Sequence, residues 1–157
     1  MLNIVSRART AEDKRTFTIV ASQFNAHYVQ GLVNHASDEL RTRAPAAAVT
    51  LHQVPGAFEI PIVVRELAVQ KKADAIIAIA VILRGRTSHA EHLSRSVTDA
   101  LQRIAIEHGV PVINAVLSME NERQARERCL EDKINRGTEA ARAAIEIADV
   151  MSDLREK

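Results

Sequence analysis

The stretch ADAIIAIAVIL, residues 73–83, constrains this chain more than any other. From Ala75 to Leu83 it is apolar without a break, yet it falls far short of the ~20 residues a membrane span needs. A short continuous apolar run reads as a strand covered on both faces, and such strands belong to parallel sheets flanked by helices. The rest of the chain alternates to match. TFTIVA (16–21) and AVTLHQV (48–54) read as strands, the second with one wetter face, and VPVINAVL (110–117) as another buried strand. Between them, apolar residues recur at helical spacing over 27–43 (Val29, Leu32, Val33, Ala36, Leu40), 59–71 and 89–108. Pro61 fits the first turn of the second helix, where its missing N–H is no loss. A charged helix over 121–131 and an Ala-rich one over 136–153 follow.

This order predicts an α/β fold: a three-layer αβα sandwich, flavodoxin-like, with a four-stranded parallel sheet and right-handed crossovers. With 157 residues it suits one domain, read as an N-terminal arm over 1–15, with room for a short strand at its start, and a single domain over 16–157. A net charge of +1 sets up no field for nucleic acid or a membrane surface. The single cysteine, Cys129, excludes an internal disulfide and fits a reducing compartment. Residues 1–14 carry charges and no apolar stretch, so no secretory signal is read and a cytoplasmic location is expected.

Ligands of an open parallel sheet bind beyond the carboxyl ends of its strands. The segments there are SQFN (22–25), PGAFE (55–59), RGRTSH (84–89) and SMEN (118–121). The chain has one Tyr, three Phe and no Trp, yet Phe24 and Phe58 both fall in this set. A turn needs Pro55 and Gly56; it does not need Phe58 beside Glu59, so that pair reads as a binding element.

RGRTSH joins a buried strand to a helix. Gly85 permits a tight turn, and Arg86, Thr87 and Ser88 present donors at a helix N-terminus, where the dipole favours an anion. An ordinary cap by Thr87 or Ser88 is the plain alternative. The segment is neither a P-loop nor a dinucleotide fingerprint. His89 at its mouth is suited to moving protons near neutral pH. His27, His35, His52, His92 and His108 compete with it, and His92 shares its helical face. In ENERQARERCL, Arg123, Arg126 and Arg128 read first as a solvated face; any of them could clamp a phosphate, and spacing does not choose. The histidines are scattered, no HExxH, CxxC or GxSxG occurs, and Cys129 reads as a small buried hydrophobe.

Taken together, FN (24–25), VPGAFEIP (54–61), RGRTSH (84–89), VPVINAVLSMENERQARER (110–128) and NRGTEAA (135–141) resemble the lumazine synthase family over about residues 16 to 151. PGAFEIP followed by RGxTxH is a specific pairing. The resemblance implies a cofactor-free and metal-free condensation of 5-amino-6-(D-ribitylamino)uracil with 3,4-dihydroxy-2-butanone 4-phosphate. The product is 6,7-dimethyl-8-ribityllumazine, in riboflavin biosynthesis, with loss of phosphate and water. It implies that Phe24, with Asn25 beside it, stacks on the pyrimidine. Ala57, Phe58 and Glu59 then hold the ribityl chain and ring, and backbone groups of Val81, Ile82 and Leu83 line the ring edge. It further implies that Arg86, Thr87 and Arg128 bind the phosphate and that His89 transfers protons.

The resemblance also implies a homo-oligomer, a ring of five with sites between subunits, to which Asn114 and Arg128 come from a neighbour. Departures exist. Asn114 stands where the family often has an aromatic, Arg86 where a small or acidic residue is frequent, Ala80 for a frequent Gly, and Arg136 for a common Lys. The turn LEDKIN (130–135) lacks the glycines of shell formers, so a free pentamer or decamer is expected rather than a 60-subunit shell. Asn114 also keeps open a paralogue that binds flavin or lumazine without useful turnover. A carrier or shell protein would have no need of His89 with Arg128. A receiver-type signalling domain would need acidic strand ends, which this chain lacks.

Overall fold

The computed structural model describes residues 14–85 and 87–156. The apolar run forms β3 (Ala75–Leu83), buried from Ala75 to Ile82 and half-buried at Leu83. It pairs in parallel with β1 (Thr16–Ser22) on one side and β4 (Val112–Met119) on the other, and β2 (Ala48–Val54) lies outside β1. The four-stranded sheet therefore runs β2-β1-β3-β4. Ile19 faces Ile77 across the first ladder, and Ile79 faces Ala115 across the second.

Side chains alternate across a strand, and here the alternation sorts one apolar run into two cores. Ile77, Ile79 and Val81 join Phe17 and Ile19 against α1 (Ala26–Arg43), α4 (Glu122–Cys129) and α5 (Arg136–Arg155). Ile76, Ala78, Ala80 and Ile82 join Val20 against α2 (Ile60–Gln70) and α3 (His89–His108). The result is the expected αβα sandwich. Gly137 lets α5 approach α1: a Cβ there would collide with the Leu32 carbonyl.

The differences from expectation are local. The second helix begins with a 3-10 turn, Ala57–Glu59, and only then becomes α-helical, with Pro61 in its first turn. β4 begins at Val112 because Pro111 has no N–H to give a ladder. β2 is exposed on both faces up to Gln53, apart from half-buried Val49, because it is an edge strand in this chain. Most of the expected arm, including its short strand, lies outside the described residues; of its last two residues, Arg15 pairs with Asp149 at 3.5 Å. Among the described residues, no helix is long and apolar enough to cross a membrane.

Candidate active site

At the carboxyl end of the sheet, two turns are stapled together. Gln23 N–H donates to the Val54 and Pro55 carbonyls (2.9 and 3.1 Å), and Phe24 N–H to the Pro55 carbonyl (3.3 Å). Asn25 then takes a left-handed conformation (φ 58°), which Asn tolerates better than most residues. Its side chain does not cap α1; its amide crosses to β3 and donates to the Val81 carbonyl at 2.6 Å. Asn25 thus braces the rim, and the Val81 carbonyl is its anchor.

This bracing holds Phe24 outward, 69% exposed, over Gly56. A Cβ on Gly56 would stand 2.9 Å from both Cδ2 and Cε2 of the ring, so only glycine lets the ring sit there. Glu59 closes the turn from the other side. Its N–H donates to the Gly56 carbonyl (3.2 Å), and its Oε2 accepts the Gly56 N–H (3.1 Å). Ala57 is buried beneath, while Phe58 is 70% exposed. Burying a phenyl side chain is worth about 1.5–3 kcal/mol, so two exposed rings in neighbouring turns offer apolar surface to a ligand or partner.

The next segment leaves β3 at Leu83. Arg84 N–H makes a last ladder-like bond to the Met119 carbonyl (2.9 Å). Among the described residues, nothing lies within 4 Å of where a Gly85 Cβ would be, so this turn stands clear of the body. Arg86 lies outside the described residues. Thr87 Oγ1 accepts the His89 N–H at 3.4 Å, whereas Ser88 occupies the N-cap position of α3 without a side-chain bond. The positive end of α3 therefore faces outward with little capping, as an anion site requires. His89 is exposed at the start of α3, which follows β3 at the carboxyl end of the sheet, and α3 packs against the Ala57–Glu59 turn that carries Phe58 and Glu59. Among the rivals, His35 is held by the Gly31 carbonyl and Asp132, His52 lies mid-strand, and His108 ends α3 at the far side of the sheet.

A separate groove runs along the outer edge of β4. It encloses about 430 Å³ and is lined by Asn114, Val116, Arg128, Arg136, Glu139 and Ala140, among others. Asn114 covers the strand edge: its Oδ1 accepts the Val116 N–H (3.0 Å) and its Nδ2 donates to Thr98 Oγ1 (3.1 Å). On α4, Ala125 and Cys129 are buried, so the helix turns Arg128 inward beside them. Arg123 pairs with Glu127 (3.2 Å) in solvent, and Arg126 is exposed. Arg128 instead has a buried Nε without a partner among the described residues, and its recorded hydrogen bond is a weak one, Nη1 to the Met119 sulfur at 3.9 Å. An unmet buried donor costs about 1–3 kcal/mol, which a bound anion would recover. The structure thus separates three arginines that spacing leaves equal. Burial pushes the Cys129 thiol up to about 11 despite the neighbouring Arg128 charge, so it stays protonated at neutral pH.

Neither Phe24, Glu59 nor His89 lines this groove. β3 separates β1 from β4, and two strand spacings amount to about 10 Å. The chain therefore carries two surfaces, an aromatic rim with a histidine and a cationic groove. A larger groove of about 640 Å³ between β2 and α2, lined by Ile62 among others, holds the competing His52 but none of the residues the family resemblance assigns. The sequence reading took Gly56 for a turn residue and missed it as the seat of Phe24. It also treated Arg136 only as a departure, although Arg136 lines the groove and pairs with Glu139 at 2.7 Å.

Comparison with known proteins gives two findings. Residues 14–152 match the family model described as 6,7-dimethyl-8-ribityllumazine synthase. A Leptothrix cholodnii protein of that name is 41% identical over 137 residues, which is 87% of this chain and 86% of that protein.

Proposed function

This chain belongs to the 6,7-dimethyl-8-ribityllumazine synthase family, and from that membership we propose that it condenses 5-amino-6-(D-ribitylamino)uracil with 3,4-dihydroxy-2-butanone 4-phosphate. It is a transferase of riboflavin biosynthesis, and its product is 6,7-dimethyl-8-ribityllumazine, with phosphate and water released. The observation that carries the assignment of roles is the Phe24 ring seated on Gly56 beside Glu59, at the end of the sheet where α3 begins with His89.

The pyrimidine stacks on Phe24, and Ala57, Phe58 and Glu59 take the ribityl chain. Glu59 uses Oε2 for Gly56, so Oε1 serves the substrate hydroxyls. Backbone groups of Val81, Ile82 and Leu83 border the ring. Arg86 and Thr87 hold the phosphate at the open end of α3, joined by Arg128. His89 moves protons as the imine forms and phosphate leaves. Holding two substrates in register supplies much of the rate, an effect worth up to about 7–11 kcal/mol.

In this reading the groove that meets the rim comes from a neighbouring copy, and the working unit is a homo-oligomeric ring of five in the cytoplasm. Asn114 of that neighbour offers an amide edge, its Oδ1 already committed to Val116, and Phe24 is left as the stacking surface.

Mixing both substrates with the protein and following product fluorescence tests this reading. His89→Ala is expected to lower the rate about 10²–10⁴-fold with binding largely kept. Equal rates for the two proteins would move proton transfer elsewhere, His92 being next in line. Tight flavin or lumazine binding without turnover would identify a binding paralogue.

A further inference from the structure

Arg84 lies outside the roles assigned above, yet it links the first turn of α3 to the approach to α4. Its backbone is fixed by the Met119 carbonyl at 2.9 Å. Its guanidinium reaches in two directions, Nη2 to Glu91 Oε1 at 3.1 Å and Nη1 to Glu120 Oε1 at 3.7 Å. Glu91 lies in the first turn of α3, two residues after His89. Glu120 lies just before α4, the helix that carries Arg128. That approach is itself ordered: Glu120 N–H donates to Gln124 Oε1 (3.0 Å) and Gln124 N–H to Asn121 Oδ1 (2.9 Å).

We propose that Arg84 is a positioning residue for the reaction: its fork to Glu91 and Glu120 sets the turn bearing Thr87, and with it His89 at the start of α3, against the start of α4. The inference rests on the functional reading given above. The loop needs such a tie. Among the described residues, nothing lies within 4 Å of where a Gly85 Cβ would be, and the other side-chain bond recorded along the turn is the 3.4 Å contact of Thr87 with the His89 N–H. Arg84 pairs with Glu91 across the base of this loop, so losing the pair frees the segment without opening the core. A guanidinium offers separate nitrogens to the two carboxylates in a fixed planar fork, whereas a lysine ammonium is a single point charge on a flexible stem and holds such a geometry less well. Exposed ion pairs add little to global stability, but a displacement of 1 Å at a reacting group is costly in rate. The effect therefore belongs in kinetics rather than in the melting temperature.

The test compares Arg84→Met, Arg84→Lys, Glu91→Gln and the Arg84→Met/Glu91→Gln double variant in steady-state turnover. For Arg84→Met, kcat/KM for the phosphorylated substrate is expected to fall about tenfold. KM for the pyrimidine and the melting temperature should hold. Arg84→Lys should recover part of the loss, and Glu91→Gln should add nothing once Arg84 is gone. Unchanged kinetics in Arg84→Met, additive losses in the double variant, or an equal loss for both substrates with a lowered melting temperature would each overturn the proposal. Hydrogen exchange provides a readout that does not depend on turnover: amides of 87–91 should exchange faster in Arg84→Met while β3 and β4 do not. If the unaltered chain makes no product, the functional reading fails, and unchanged exchange would then overturn the clasp as well.

Discussion

The rim and the groove break the usual partition of residues in opposite ways. At the rim, phenyl rings stand in solvent, Phe24 and Phe58 above a braced backbone. In the groove, a guanidinium nitrogen of Arg128 is buried with nothing among the described residues to donate to. Globular chains ordinarily bury the first kind of group and expose the second. The two departures complement each other, since flat apolar faces suit a pyrimidine and an unmet cationic donor suits a phosphate. Within the sheet, β3 lies between β1, which leads into the rim, and β4, which lines the groove.

If the groove supplies the phosphate contact, Arg128 should matter far more than its neighbours on α4. Loss of a hydrogen bond to a charged partner is worth about 1.5–3 kcal/mol, so Arg128→Ala is expected to raise KM for the phosphorylated substrate about 10- to 100-fold. The pyrimidine KM should stay put. Arg123→Ala, which removes a solvent pair with Glu127, serves as the comparison. Similar effects from both variants would erase the distinction between the groove and the solvated face.

The rim makes a smaller and opposite claim. Phe24→Ala should weaken the pyrimidine by about 0.5–1.5 kcal/mol, read as a KM increase of up to about tenfold, with phosphate dependence untouched. The melting temperature should hold, because an exposed ring contributes little to the core. A drop in stability would mean that Phe24 is a packing residue and not a platform.

The smallest effect concerns the turn behind the groove. His35 presents Nδ1 to the Gly31 carbonyl (2.8 Å) and Nε2 to Asp132 (3.0 Å), two acceptors that only the imidazolium can satisfy together. Burial lowers its affinity for the proton, but the hydrogen bonds to Asp132 and Gly31 and the charges of Asp132 and Asp38 outweigh that, and the net value is raised above 6.5. A raised folded value means that the stabilisation is complete below pH 6.5 and fades as pH climbs through the folded value. With Asp132 96% exposed, the contribution is about 1 kcal/mol or less. The melting temperatures of the unaltered chain and His35→Gln should therefore differ at pH 6 and converge in alkaline buffer. A gap that widens with pH would contradict this.

Much of the architecture was legible because one apolar run excluded the alternatives. A strand covered on both faces demands helices on both sides, and the periodicities of 27–43 and 89–108 supplied them within a residue of where they form. The rim was legible as a set of loops, since strand ends collect ligands. The seat of Phe24 was not, because it depends on hydrogen bonds from Gln23 and Phe24 to a turn about thirty residues later. The choice of Arg128 depends on how α4 lies against β4, which helical spacing cannot reveal without knowing that Ala125 and Cys129 face inward. Arg84 was passed over because its partners come from two other segments.

The central claim is that the rim of one copy works with the groove of the next. Co-expressing the His89→Ala and Arg128→Ala chains tests it directly. Each variant alone should be impaired at every site. In randomly mixed rings, about a quarter of the sites would join an intact rim to an intact groove, and turnover should recover to about that fraction of the unaltered protein's rate. Mixed assemblies that remain as impaired as the two variants alone would show that His89 and Arg128 act within one chain, and would contradict the account.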